Sequence, residues 1–464
     1  MNPVPHEIFR EYDIRGEYPS KLNEQTAQLI GKALGSEILL AGQQKCYVAW
    51  DGRLSSPSLR DALVSGICST GCHVYLIGAC PTAVTFWTIK NNGQSCAMIT
   101  GSHNPKQDNG IKIAVAGSPR SGEDIQVLLS RIKLNLCKTG QGFIEDASHL
   151  IDDYQQRLTQ DLTLQRPLKV VLDAGNGIGG PIASQALKQL GASVIEIACN
   201  VDGNFPLHHP DPAKTKNLKW LQQAVLEHQA DVGIALDGDA DRVGVVDNLG
   251  QCILPDRLSL LFVEDILARQ DKQTILFDVK CTELLTTLTQ QWGGEPKMIA
   301  TGHTSMKRAI KETQAAFATE LSGHILFNDE HGIGVDDGIY AAIRLCHLLS
   351  QSTESLAERL HAFPNPIATE EIQIPVIEDE KFSIMHILQK NCFKSFPTVT
   401  IDGLRSTIQD SWVLVRASNT TPCLTIRFEA LNTEALKHCV QQTMAELNEH
   451  VPQLDLSELK RLLD

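Results

Sequence analysis

Short apolar runs rich in β-prone residues recur along the chain, and each ends at an aspartate or a glycine-rich elbow. Tyr47-Val-Ala-Trp50 leads into Asp51-Gly-Arg53, and Val170-Val-Leu172 into Asp173-Ala-Gly-Asn-Gly177. Ile234-Ala-Leu236 leads into Asp237-Gly238, and Ile275-Leu-Phe277 into Asp278-Val-Lys280. Runs this short, closed by a turn signal, predict buried parallel strands rather than helices. Helical periodicity fills intervals between them, over 58–69 and 218–229 for example. Strands alternating with helices predict α/β units with functional loops at the strand ends. The recurrence suggests related units repeated along the chain, without a strict period.

Beyond residue 365 the pattern changes. Trp412-Val-Leu-Val-Arg416 and Thr425-Ile-Arg-Phe428 read as alternating strands around a polar loop, and 435–449 as a helix. That suits a smaller α+β domain, with Pro364-Asn-Pro366 as the linker before it. A length of 464 residues fits three or four units at about 150 residues each.

With 42% hydrophobic and 21% charged residues, the chain can bury several cores. Its net charge of −14 argues against nucleic acid or an anionic membrane as partner. An anionic substrate would need positive charge gathered locally in a cleft. The thirteen cysteines, closest in Cys68-Ser-Thr-Gly-Cys72, lack the paired spacing of a metal or disulfide framework. They read as buried thiols of a reducing compartment. No signal-peptide core is visible, and no apolar run approaches the ~20 residues of a membrane span. A soluble, cytoplasmic protein is expected.

Four stretches carry chemistry. Asp237-Gly-Asp-Ala-Asp-Arg242 sets three carboxylates at alternate positions in a loop between the apolar runs 232–236 and 243–246. Such a cluster repels itself without an ion, and a divalent metal is the economical partner. A solvated acidic turn is the plainer reading. A helix–loop–helix calcium site fails, because it wants Gly where Arg242 stands and Glu where Asn248 stands. An aspartate-nucleophile phosphatase stays open as a third reading. Thr100-Gly-Ser-His-Asn-Pro105 puts Ser102 at the tip of a loop, without the glycine elbow of an acyl-transfer serine. As a phosphoserine it could offer an oxygen to a metal held by three aspartates. Arg416-Ala-Ser-Asn-Thr-Thr-Pro422 has the forked donor and neutral donors of a phosphate-binding loop, or of an ordinary hairpin. Glu320-Leu-Ser-Gly-His324 suits recognition of sugar hydroxyls, and alone says little.

In this order, the four stretches resemble the α-D-phosphohexomutase superfamily, and most of all its bacterial phosphomannomutase/phosphoglucomutase branch. Further matches are Phe9-Arg-Glu-Tyr-Asp-Ile-Arg-Gly16, Asn109-Gly-Ile-Lys112, Gly203-Asn-Phe-Pro206 and His208-His-Pro-Asp-Pro212. Asp278-Val-Lys280 and Thr301-Gly-His303 match as well, so the likeness spans essentially the whole chain.

The resemblance implies three related mixed α/β domains and a C-terminal α+β domain around a central cleft. It places them at 1–148 (phosphoserine loop), 149–251 (metal), 252–364 (sugar recognition) and 365–464 (distal phosphate). It implies Ser102 as the phosphoryl carrier and Mg²⁺ held by Ser102, Asp237, Asp239 and Asp241. Glu320 and Ser322 would read the sugar's O3 and O4, beside His324. Arg416, Ser418, Asn419 and Thr420 would hold the non-reacting phosphate. Tyr12, Arg15, Lys112, Arg242, Lys280 and His303 would surround the substrate. The activity implied is reversible conversion of hexose 1-phosphate and hexose 6-phosphate, of mannose or glucose, through a hexose 1,6-bisphosphate. The general base would be Lys112 or His324, with Arg15 orienting. The protein is expected to act as a monomer on small phosphosugars. An amino-sugar phosphate mutase and the aspartate phosphatase are the alternatives. Two departures stand out: Ala240 where the family commonly has Gly, and Thr319 and Leu321 in the sugar loop. Alanine disfavours positive φ, so the metal loop is expected to turn at residue 240 without it.

Overall fold

The computed structural model describes residues 4–90, 92–418 and 421–463. Four sheets succeed one another along the chain. In the first, Lys45–Trp50 lies between His73–Ala79 and Ser95–Ile99, parallel to both. Asp108–Val115 then adds antiparallel to Ser95–Ile99, and Ile14–Glu17 antiparallel to it. In the second, Lys169–Asp173 pairs in parallel with Ser193–Ile197 and Val232–Leu236, and Val243–Asp247 adds antiparallel. In the third, Thr274–Asp278 pairs in parallel with Glu295–Ile299 and Phe317–Thr319, and Ile325–Phe327 adds antiparallel.

The repeat hinted at by the sequence is therefore topological. Each unit ends its parallel set with a strand that turns back as an antiparallel neighbour. The serine, aspartate and sugar loops are those three turns, between Ser95–Ile99 and Asp108–Val115, Val232–Leu236 and Val243–Asp247, and Phe317–Thr319 and Ile325–Phe327. The fourth sheet is antiparallel and six-stranded, and the helices Lys381–Asn391 and Thr433–His450 pack on it. Its hairpin from Ser411–Ala417 to Cys423–Ala430 bears the phosphate-loop motif.

Strands and helices follow the apolar periodicity closely. The helices expected at 58–69 and 218–229 run Ser56–Cys68 and Lys219–His228, and that at 435–449 runs Thr433–His450. One apolar core joins the first three units, including Phe86, Val170, Leu236, Phe262 and Ile343, all nearly inaccessible. The C-terminal unit has its own core and meets the third through a small apolar cluster of Val279, Trp412 and Leu414 and through hydrogen bonds from charged side chains. Arg405 donates to the carbonyls of Val279 (2.7 Å) and Cys281 (2.8 Å), and Glu429 accepts from the Glu283 amide at 2.9 Å. Ten of the thirteen cysteines are buried. No helix among the described residues is long and apolar enough to cross a membrane.

Candidate active site

A cleft of about 410 Å³ opens where the four loops meet. Tyr12, Arg15, Ser102, Lys112, Arg242, Lys280, His303, Glu320, Ser322, His324, Arg416 and Ser418 line it. Asp237, Asp239 and Asp241 lie directly beneath, fully buried. Asn419 and Thr420 fall outside the described residues. A larger cavity of about 540 Å³, around Phe86, Ile89 and Lys311, contains none of these side chains.

The serine loop is shaped by a residue that the sequence reading did not single out. Arg53 is buried, and its guanidinium donates to the carbonyls of Ser102 (2.6 Å), Asn104 (2.7 Å), Pro105 (2.7 Å) and Asp108 (2.8 Å). Loop carbonyls with no strand partner are thereby satisfied. The guanidinium lies so close to Gly101 that a Cβ there would meet Arg53 Cζ at 2.5 Å. Arg53's place in an Asp-Gly-Arg elbow after a strand was the available signal.

Ser102 itself is held at φ +47°, a conformation that costs a non-glycine residue energy and recurs at functional loops. Its Oγ donates to Asp237 Oδ2 at 2.8 Å and lies 3.0 Å from His103 Nδ1. His103, also unassigned from sequence, is kept neutral by burial and then by the charges of Arg242 and Arg15. The serine and metal loops touch because Gly238 has no side chain, since a Cβ there would lie 2.5 Å from the Ser102 carbonyl.

The metal loop corrects one expectation. Ala240 adopts φ +61°, the left-handed geometry that glycine takes without cost. Its methyl group is accommodated because the facing residue is Gly179, whose Cβ would sit 2.4 Å from that of Ala240.

Oxygens of Asp237, Asp239 and Asp241 lie within 4.8 Å of one another. Lys112 Nζ donates to Asp239 Oδ2 at 2.7 Å and also to Asp241 Oδ2, which leaves Oδ1 of both aspartates buried and unpartnered. Burial, and then the charges of Asp239 and Asp241, push Asp237 well above the usual carboxylate range. Asp239 moves the other way, because Lys112 outweighs its burial. One ammonium therefore neutralises two of three carboxylates and leaves orphaned oxygens converging. That donor set fits a hard divalent cation.

In the sugar loop, Glu320 Oε1 accepts from the Gly302 amide and Oε2 from the Ser322 hydroxyl at 3.1 Å. Gly323, at φ +96°, lets this loop lie against the metal loop: a Cβ there would meet the Val243 carbonyl at 2.8 Å. Arg242 and His324 form a backbone bridge across the junction, and Arg242 Nε donates to His324 Nε2 at 2.9 Å. The ring of His324 stacks on His303 with centroids 5.6 Å apart.

In the phosphate loop, Arg416 is aimed by Asp402, which accepts from Nη2 at 3.0 Å and also receives the Thr301 amide at 3.0 Å. Arg15 is held between Asp13 and Asn104. Cations from all four units thus converge on one cleft in an acidic protein, a field that attracts a doubly anionic ligand.

Comparison with known proteins finds relatives over nearly the whole chain. Family models described as phosphoglucomutase/phosphomannomutase alpha/beta/alpha domains I, II and III match residues 6–135, 150–250 and 254–367, and the C-terminal domain matches 371–446. A phosphomannomutase/phosphoglucomutase of Pseudomonas aeruginosa is 46% identical over 436 residues, 94% of each chain. A phosphoglucomutase of Neisseria meningitidis is 40% identical over 460 residues, 98% of this chain and 99% of the other. A solved structure of a phosphoglucomutase/phosphomannomutase family protein from Burkholderia thailandensis superposes with TM-score 0.92 at 39% identity. It covers 97% of this chain and 99% of its own.

Proposed function

The chain belongs to the phosphoglucomutase/phosphomannomutase family, and on that premise we propose how its cleft interconverts hexose 1-phosphates and hexose 6-phosphates. Ser102 carries the phosphoryl group. The observation that carries this assignment is Ser102 Oγ, in a left-handed turn at the cleft wall, on the rim of the aspartate cluster.

Phosphoserine 102 donates to the free hydroxyl at C6 of a hexose 1-phosphate. The bond from phosphorus to Oγ breaks as the bond to O6 forms, giving a hexose 1,6-bisphosphate. The bisphosphate then turns over, and its 1-phosphoryl group returns to Ser102. Asp237, Asp239 and Asp241, with an oxygen of the phosphoserine, are the proposed ligands of Mg²⁺. When bound, the ion supplies positive charge to the transferring phosphoryl oxygens. Burial works against the charge of Lys112, but Asp239 and Asp241 outweigh it and raise its pKa, which favours a charge-supplying role over that of the base. His324 is the proposed base for the attacking hydroxyl, and the hydrogen bond that Arg242 Nε donates to its Nε2 must give way before that nitrogen takes the proton. Arg242 stabilises the moving charge, and Arg15 orients the serine loop through Asn104.

At the far end, Arg416 and Ser418 hold the idle phosphate, with Asn419 and Thr420 assigned there on sequence alone. Glu320 and Ser322 read O3 and O4, while Tyr12, Lys280 and His303 close the walls. Glucose and mannose share O3 and O4 and differ at O2, so this reading admits both sugars. An aspartate phosphatase is disfavoured because Asp237 lies fully buried behind Ser102.

We further propose domains 1–148, 149–251, 252–364 and 365–464, supported by one sheet in each. We also propose a cytoplasmic protein that acts as a monomer, the latter supported by a cleft lined within one chain. The direct test of the carrier is mass spectrometry after incubation with glucose 1,6-bisphosphate and Mg²⁺. One phosphoryl group on the peptide containing Ser102 is expected, and a phosphorylated aspartate instead would reverse the assignment.

A further inference from the structure

The cavity of about 540 Å³ lies where the first unit meets the third, and the proposed reaction makes no use of it. Its volume suits a small organic molecule. Phe86, Ile89, Ile310, Leu326 and Val335 give it an apolar lining drawn from both units. Two helices, Thr82–Lys90 and His303–Thr313, supply much of that lining, and both begin at the active centre. Thr82 donates to Asp239 Oδ2 at 2.5 Å, and His303 lines the substrate cleft. Lys90 stands at the other end of the first helix, roughly 12 Å along its axis from Thr82. No residue lines both the cavity and the cleft.

Four cations line the cavity, and one of them is matched. Lys307 pairs with Asp336 at 2.8 Å and lies 3.9 Å from the centre of the Phe86 ring. Among the described residues, Lys90, Arg308 and Lys311 form no salt bridge and donate to neutral acceptors. Lys90 Nζ reaches Asn328 Oδ1 and the Ile333 carbonyl, both at 3.4 Å. Lys311 Nζ donates to the Ser118 hydroxyl at 3.1 Å, and Arg308 Nη2 to the Ser121 hydroxyl at 3.4 Å. Asp124 is the one carboxylate of the lining, and it is taken by Arg120 at 3.2 Å. Glu11, outside the lining, feels the charge of Arg308 without pairing to it. Three unmatched positive charges around an apolar floor stand out in a protein of net charge −14. They favour an anion there as the cleft does, but one that also has a body to bury.

We propose that this cavity is a second anion-binding site, for a small organic acid whose apolar body lies on the floor and whose carboxylate or phosphate group meets the unmatched cations. Inorganic phosphate lacks the body and an uncharged aromatic lacks the charge, so neither should fill it well.

The probe is 8-anilinonaphthalene-1-sulfonate, an aromatic anion that fluoresces on apolar surfaces. It is titrated into the full chain in saturating glucose 1,6-bisphosphate, which occupies the substrate cleft. One saturable site is expected, weakened by added NaCl and little affected by inorganic phosphate. Lys311→Glu should raise its Kd by about tenfold or more, the loss of a charge-assisted hydrogen bond. Ser118→Trp puts bulk beside Lys311 without changing any charge, and should abolish binding. Both positions lie outside the substrate cleft, so both variants should convert glucose 1-phosphate at the wild-type rate, which also shows that they fold. If either does not, Lys90→Ala takes its place, with a weaker Kd expected. An unchanged Kd in the folded variants would overturn the proposal. So would a signal lost under glucose 1,6-bisphosphate, which places the probe in the substrate cleft. Binding that disappears as protein concentration rises would also overturn it, by giving the cavity to a second copy of the chain.

Discussion

Ser102 Oγ donates to Asp237 Oδ2 at 2.8 Å across a sequence separation of 135 residues, joining the loop proposed to carry the phosphoryl group to the loop that would hold the metal. The first two units are thus locked at their chemically active turns. The serine hydroxyl satisfies one carboxylate oxygen of a cluster in which three carboxylates face a single ammonium, that of Lys112.

That imbalance predicts strict metal dependence. Removal of divalent ions with EDTA should abolish isomerisation, and Mg²⁺ should restore it. Lys112→Ala should lower kcat without weakening Mg²⁺ retention, since lysine neutralises the aspartates without supplying a ligand. Full activity in EDTA would contradict the assignment of Asp237, Asp239 and Asp241.

The two ends of the substrate should separate kinetically. Arg416→Ala removes a charged hydrogen bond worth about 1.5–3 kcal/mol, which raises KM roughly 10- to 100-fold. Asp239→Ala should instead collapse kcat with a smaller effect on KM. Steady-state kinetics giving equal KM changes would contradict the division of roles.

Ala240 and Gly179 should behave as a coupled pair. Ala240→Gly relieves a left-handed alanine, worth roughly 1–2 kcal/mol, but loses a buried methyl worth about 0.8 and adds backbone entropy of about 0.5–1. Its net effect on stability should be under about 1 kcal/mol. Gly179→Ala places two Cβ atoms 2.4 Å apart and should cost about 1–3 kcal/mol of overpacking. Because that clash needs both methyls, the double variant should recover most of the loss in a denaturation cycle.

Strand positions, the helices and the four reactive loops were legible because each depends on local pattern: apolar runs, turn residues and carboxylate spacing. The supporting shell was not. Arg53 reaches Ser102 across 49 residues, Asp402 reaches Thr301 across 101, and Thr82 donates to Asp239 across 157. Apart from the strand-end elbow that holds Arg53, nothing in the neighbourhood of these residues marks them, because their partners are set by how the units pack. The backbone at Ala240 was misjudged for the same reason. Space beside Gly179 decided its conformation, and local propensity did not.

The proposed reading of O3 and O4 by Glu320 and Ser322, positions common to both hexoses, predicts sugar tolerance. Glucose 1-phosphate and mannose 1-phosphate should be converted with kcat/KM within about tenfold of each other, a difference of about 1.4 kcal/mol. A glucosamine phosphate preferred over both would point to the amino-sugar alternative.

The central claim is phosphoryl transfer through Ser102. Conversion of glucose 1-phosphate to glucose 6-phosphate should be followed with Mg²⁺ and a trace of glucose 1,6-bisphosphate, in the wild type and in Ser102→Ala. The account predicts turnover that falls by orders of magnitude in the variant; isomerisation that survives the loss of Ser102, or free phosphate released equally by both proteins, would contradict it.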